Sequence, residues 1–288
     1  MVFESILLGL VSGLGVGISD VGAVAVTRRL GVLRTAVSVQ LAAVAMMTAF
    51  LPWESGVGSL SRVQWLEMAG LGVGSFAFYL AFYRAIQIGP VAIVTPILAA
   101  HSVVVVVMAV LLLGERLSNW QMASIATIIG GIVLASVDVT SLGHGQRAVS
   151  TGVIIALFLT VAVGMWQFGI GALSKELGWF LPLYLSRVMM LGGLLPFGAA
   201  RGALPWRGMS PGLAAGTVGV AVLETASFFA FTRGAQIGVL SIVAAASAIY
   251  PLVPIMGGLV LFKERLAPSQ AVGLAVVIVG LVGLGAMS

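Results

Sequence analysis

The chain has 288 residues, of which 60% are apolar and only 8% charged, with a mean hydropathy of +1.17. A soluble domain carries roughly 25% charged residues, so this chain lacks the polar atoms to cover a globular surface in water. The same numbers exclude a disordered or collagen-like chain and point to an integral membrane protein, with the lipid bilayer as its surroundings. The formal charge of +5 comes from fourteen basic and nine acidic residues spread thinly. A nucleic-acid binder gathers basic residues on one face, so no such partner is expected. With no cysteine there is no disulfide, thiolate nucleophile or Cys-ligated metal. Two histidines, His101 and His144, are too few and too far apart for an imidazole metal site. No metal and no other cofactor is expected.

A spanning helix needs about 20 mostly apolar residues. Ten segments meet that length, at about 3–27, 32–52, 63–86, 90–113, 118–138, 151–173, 178–200, 211–235, 239–262 and 268–287. The first has no basic region ahead of it and is expected to remain as a membrane helix rather than be cleaved. It carries Asp20 and a Gly13/Gly17 pair, whose four-residue spacing predicts close approach to a neighbouring helix; Gly70/Gly74 and Gly212/Gly216 repeat that spacing. Segment three places Phe76, Tyr79 and Tyr83 on one helical face. Segment four contains Pro96 and His101, segment six Trp166, segment seven Arg187, segment eight Glu224, and segment nine Tyr250, Pro251 and Pro254. Val103–Val107 and Ile154–Leu159 do not alternate apolar with polar residues, which argues against a transmembrane barrel.

Two halves of the chain share a pattern. Arg84-Ala85-Ile86-Gln87-Ile88-Gly89 reappears as Arg233-Gly234-Ala235-Gln236-Ile237-Gly238, and Glu115-Arg116-Leu117 as Glu264-Arg265-Leu266. Gln121 matches Gln270, and every pair is 149 residues apart. Five helices per half is an odd number, so duplication places the second half upside down in the bilayer. The predicted fold is all-α, with ten transmembrane helices as two inverted five-helix repeats, 1–145 and 146–288. In that plan the substrate site lies near the midplane between the halves.

The ten segments, the two halves, and Gly114-Glu115-Arg116-Leu117 followed by Gln121 resemble the drug/metabolite transporter superfamily, specifically its EamA-like ten-helix members. Lys263-Glu264-Arg265-Leu266 departs from the pattern, with Lys where Gly is usual, while Trp166 fits a tryptophan common in segment six. The resemblance implies a central cavity lined mainly by segments one, three, four, six, eight and nine. It also implies a bacterial-type plasma membrane, crossed many times. Orientation stays open: nine basic residues in one set of loops against four in the other favour termini outside, whereas the resemblance implies termini in the cytoplasm.

Ionisable groups inside a spanning segment are functional candidates, because burying them in hydrocarbon is costly. Glu224 aligns with Ser75 in the first half, so its charge exists in one half only, which suggests a specific task. Glu224, with Asp20 as a second candidate, is expected to carry a coupling proton; a structural carboxyl between helices is the alternative. Arg187 needs an acidic partner or a water path that the sequence does not name. Glu115-Arg116 and Glu264-Arg265 read as loop ion pairs. Tyr79, Tyr83, His101, Trp166 and Tyr250 are the expected substrate contacts, supplying a few polar groups in an apolar setting. Their alternative role is packing.

The function expected from these residues and the resemblance is secondary transport, in the export direction, of small metabolites such as amino acids or aromatic compounds, with protons as one coupling partner. No P-loop is present, so uphill movement would use a gradient or exchange. The chain is expected not to be an enzyme. An intramembrane hydrolase would need a Ser–His or Ser–Lys pair, for which Ser75 and His101 are the candidates. The closer rival is a flippase for a lipid-linked substrate.

Overall fold

The computed structural model describes residues 2–53, 60–88, 100–136, 149–204, 209–253 and 268–286. These residues form ten α-helices and no strand. The first half holds α1 (Val2–Leu30), α2 (Val32–Phe50), α3 (Arg62–Ile88), α4 (His101–Leu112) and α5 (Asn119–Ser136). The second holds α6 (Val149–Leu177), α7 (Leu181–Ala200), α8 (Pro211–Ile237), α9 (Leu240–Ser247) and α10 (Pro268–Ala286). Among the described residues α1, α2, α7, α8 and the Leu157–Leu177 stretch of α6 are long and apolar enough to cross a membrane.

Helix α1 illustrates how such a sequence packs in lipid. Its small residues face inward: Ser5, Ser12, Ser19, Gly9, Gly13 and Gly17 are all buried. Phe3, Leu7, Leu14 and Ile18 are exposed. Where hydrocarbon tails surround the helix, apolar side chains gain little by turning inward, and close backbone approach between helices takes their place. The same outward display of large side chains recurs at Phe158 on α6 and Val279 on α10.

The Gly13/Gly17 reading is borne out. A Cβ on Gly13 would collide with the Ser247 carbonyl, and one on Gly17 with the Tyr250 carbonyl. By contrast Gly70, Gly74 and Gly212 have nothing within 4 Å of such a Cβ. Four-residue spacing puts two glycines on one face but does not say whether that face meets a neighbour.

Helix α9 is short for a physical reason. After Ser247 the chain turns through Ala248–Tyr250 into Pro251, whose ring cannot continue the helix and which has no N–H to donate. The sequence-based segment nine is therefore broken, and its break faces the glycine stripe of α1. Pro96 and Pro254 lie outside the described residues. In the first half, α4 begins at His101, the residue 149 positions before Tyr250.

Helix neighbours interleave the two halves. Helix α1 packs on α8 and α9, α6 on α3 and α4, α2 on α8, and α7 on α3. Further pairs between the halves include α2 with α7, α4 with α9, and α5 with α10. The α5–α10 pair closes on glycines from both sides. A Cβ on Gly131 would lie 2.8 Å from the Val277 nitrogen, and one on Gly280 would lie 2.9 Å from the Ile128 nitrogen.

Candidate functional site

Arg187 on α7 is the most deeply buried charged side chain among the described residues, only 4% exposed. Its Nη1 donates to Gln40 Oε1 of α2 at 2.9 Å, and its Nη2 donates to Glu224 Oε1 of α8 at 3.0 Å. The guanidinium carbon also stands 5.2 Å from the centroid of the Phe228 ring, one helical turn beyond Glu224. The acidic partner that the sequence could not name is thus Glu224. Gln40 entered no sequence-based expectation. Its one available signal was a polar amide inside a spanning helix.

Ring contacts, hydrogen bonds and electrostatic proximity relate most of the residues expected from the sequence. Trp166 on α6 meets Phe228 edge-on at 5.5 Å and Phe78 of α3 at 6.1 Å. Phe228 leads to Arg187, and Arg187 to Glu224. Asp20 on α1 lies within electrostatic reach of Glu224 and of Tyr250. Tyr250, in the turn after α9, has its ring 5.9 Å from that of His101 at the start of α4. The side chains of Tyr79 and Tyr83 lie outside the described residues. The Trp166 Nε1 and the Gln167 Oε1 are buried without a hydrogen-bond partner among the described residues.

Glu224 does not stand alone in apolar surroundings, since an arginine holds its carboxylate. Asp20 has no ion pair with Arg28 or Arg29; the ion pairs among the described residues are Arg187–Glu224 and Lys175–Glu115. Ser75, the repeat partner of Glu224, donates its hydroxyl to the Leu71 carbonyl at 2.6 Å.

Glu115 corrects an expectation. It is no loop pair with Arg116. Its carboxylate accepts from the Leu240 and Ser241 backbone N–H groups at 2.8 and 3.0 Å, from the Ser241 hydroxyl, and from Lys175 Nζ at 3.0 Å. It caps α9 from the opposite half, and charge favours that position because unpaired N–H groups gather at a helix N-terminus. Partial burial raises its pKa, but the bonds from Ser241, Leu240 and Lys175 outweigh that and hold it below 4.5. Glu264 lies outside the described residues. Gln121 is also structural: its Oε1 accepts from Ser118 N–H while Ser118 Oγ accepts from Gln121 N–H, a reciprocal cap on α5.

The sequence also contains Gly208-Met209-Ser210-Pro211-Gly212, which has the G-x-S-x-G spacing of a hydrolase nucleophile. That motif needs a strand-to-helix turn. Ser210 instead opens α8, its exposed side chain accepting the Leu213 N–H at 3.4 Å, and no strand precedes it among the described residues.

These features define a membrane protein, helical with no strand among the described residues, with a polar cluster where α1, α2, α7 and α8 meet. The sequence profile of the EamA-like transporter family matches residues 4–137, a little under half of the chain. An uncharacterized transporter in the cobO 3′ region of Sinorhizobium sp. is 36% identical over 73 residues. That match covers 25% of this chain and about half, 52%, of the relative's length. A crystal structure described only as that of a protein is 14% identical and superposes with a TM-score of 0.78. It covers 98% of this chain and 96% of that one, a likeness of fold alone.

Proposed function

We propose that the protein is a secondary transporter exporting small, partly apolar metabolites, such as amino acids or aromatic compounds, across the plasma membrane by alternating access. The observation that carries this reading is the packed line from Trp166 through Phe228 and Arg187 to Glu224, with the Tyr250–His101 ring pair on the other side of Asp20, which lies within electrostatic reach of both Glu224 and Tyr250. It runs between helices of both halves and beside the broken α9, the arrangement in which transporters place a midplane site. Tyr79, Tyr83, His101, Trp166 and Tyr250 are the proposed substrate contacts.

The architecture proposed with it is two inverted five-helix repeats, 1–145 and 146–288, pairing helix n with helix n + 5. Neighbour pairs support it by exchanging under that rule: α1–α8 with α6–α3, α1–α9 with α6–α4, and α2–α8 with α7–α3. Gly131 and Gly280, 149 residues apart, make mirrored backbone approaches. A Cβ on Gly17 would press on the Tyr250 carbonyl, as one on Gly164 would on the carbonyl of its repeat partner His101.

Coupling is assigned to Glu224 and Asp20, two carboxylates in mutual electrostatic reach, of which Glu224 also holds the Arg187 guanidinium. Three charges so placed change their balance when one proton is gained, and a proton bound more tightly in one conformation shifts the population toward it. Glu224→Gln is expected to abolish accumulation driven by a pH gradient while permitting exchange. A thermal-shift screen of detergent-purified protein against a metabolite panel tests the substrate class, since a binder raises apparent stability by RT ln(1 + [L]/Kd). Stabilisation by metabolites that Trp166→Ala weakens supports the reading. Stabilisation by lipids alone would replace it with the flippase.

A further inference from the structure

We propose that Arg187 is an anion-binding residue that recognises a carboxylate group on the substrate, with Glu224 as the built-in competitor that the substrate displaces. The inference deepens the transporter reading and rests on it. A guanidinium has five N–H donors in a planar fork, and Nη2 and Nε share one edge that suits a carboxylate bound through both oxygens. That edge is half used. Nη2 donates to Glu224 through a single carboxylate oxygen, Oε1, whereas the buried Nε has no partner among the described residues. Nη1 on the far side is fixed by Gln40 at 2.9 Å, so the fork is held in place when Glu224 leaves.

Exposure points the same way. Arg187 is 4% exposed and the Glu224 side chain 23%, so the carboxylate is the more accessible member of the pair. A ligand carboxylate arriving on that side replaces one charge-assisted hydrogen bond with two and leaves Glu224 free to take a proton or turn toward water. The rings next to the fork specify the rest of the ligand. Phe228 lies beneath the guanidinium, with Trp166 and then Phe78 packed behind it. The ligand class is an organic monocarboxylate with an apolar or aromatic body.

Phenylacetate and phenylacetamide are matched probes, equal in shape and different in charge. Calorimetric titration of the full chain in detergent, at one fixed pH above 7, measures both against wild type, Glu224→Gln, Glu224→Gln/Arg187→Gln and Glu224→Gln/Arg187→Lys. Circular dichroism and gel filtration establish which variants are folded. Glu224→Gln is expected to prefer phenylacetate by at least about tenfold, above the wild-type preference, because the competitor has lost its charge. The Arg187→Gln double variant should lose that preference, and the Arg187→Lys variant, which keeps a charge without the fork, should retain a reduced one. If Arg187→Gln does not fold, the reduced preference of the Lys variant decides. No preference in Glu224→Gln, absence of binding by either probe included, overturns the inference, as does a preference that survives loss of the fork. Vesicles containing the protein separate this from the transporter reading. Arg187-dependent binding without movement of labelled phenylacetate leaves the anion site standing and removes the transport. Movement of other metabolites with no carboxylate preference does the reverse.

Discussion

Two residues, Arg187 and Glu115, do opposite things with charge. Arg187 is buried in the spanning part of α7, where removing only Glu224 would leave an uncompensated cation, an expensive state in a low-dielectric setting. Glu115 sits in the loop after α4 and satisfies the two leading N–H groups of α9 across the halves. Its bonds favour the ionised form and hold its pKa below the ordinary 4.5 despite partial burial. A group depressed in the folded state adds stability that is present above its unfolded pKa and lost as pH falls through its folded pKa. Glu115→Gln cannot titrate, so it is expected to be less stable than wild type at neutral pH, by about 1–2 kcal/mol for a weakened cap. The gap should narrow below about pH 4.5, where the carboxyl begins to protonate. Thermal unfolding of both proteins between pH 7 and 3 checks this, and a gap constant across that range would count against the cap.

At the scale of elements, close backbone contact fixes where helices meet. Gly13 and Gly70 make a controlled comparison, since both belong to four-residue glycine pairs in long apolar helices. A Cβ at Gly13 meets the Ser247 carbonyl and lies 2.9 Å from Ile249 Cγ1, whereas Gly70 has open space. Gly13→Leu is expected to cost about 1–3 kcal/mol or more through overpacking against the α9 break. Gly70→Leu should be nearly neutral. Equal effects on unfolding, followed by tryptophan fluorescence, would reject the α1–α9 packing.

This pair also marks what the sequence could convey. Ten helices were legible because charges, Pro and polar clusters separate the apolar runs, and the 149-residue offset is what motivates the proposed repeat. Glu224 was legible as the charge present in one half, and Arg187 as a cation in need of a partner. Their pairing was not legible, because the ten residues between α7 and α8 fix neither the rotation nor the depth of either helix in the sequence. Gln40 was missed for the same reason, as neutral amides stand out less than charges. Glu115 looked like half of a loop pair because its partners, Leu240, Ser241 and Lys175, are 60 or more residues away.

For the whole molecule, the proposed inversion has a topological consequence that needs no ligand. The chain has no cysteine, so single cysteines can be introduced cleanly. Ser118 and Ala267, 149 residues apart, stand before α5 and α10. In two inverted repeats, a membrane-impermeant thiol reagent added outside sealed vesicles labels Ser118→Cys or Ala267→Cys, but not both in one orientation of the protein. Labelling of both from the same side would mean parallel halves, related by an axis along the membrane normal, and would reject the inversion.

The central claim is that this cluster moves a small molecule across a bilayer. Its most direct measurement is flux from sealed vesicles loaded with a metabolite extract, read by mass spectrometry of the outside solution over time. Vesicles carrying the wild-type protein should release at least one small, partly apolar metabolite faster than protein-free vesicles. Trp166→Ala, folded by circular dichroism, should slow that release at least about tenfold, the rate equivalent of about 1.4 kcal/mol. Release equal to that of protein-free vesicles for every metabolite, together with lipid movement between leaflets, would contradict the claim.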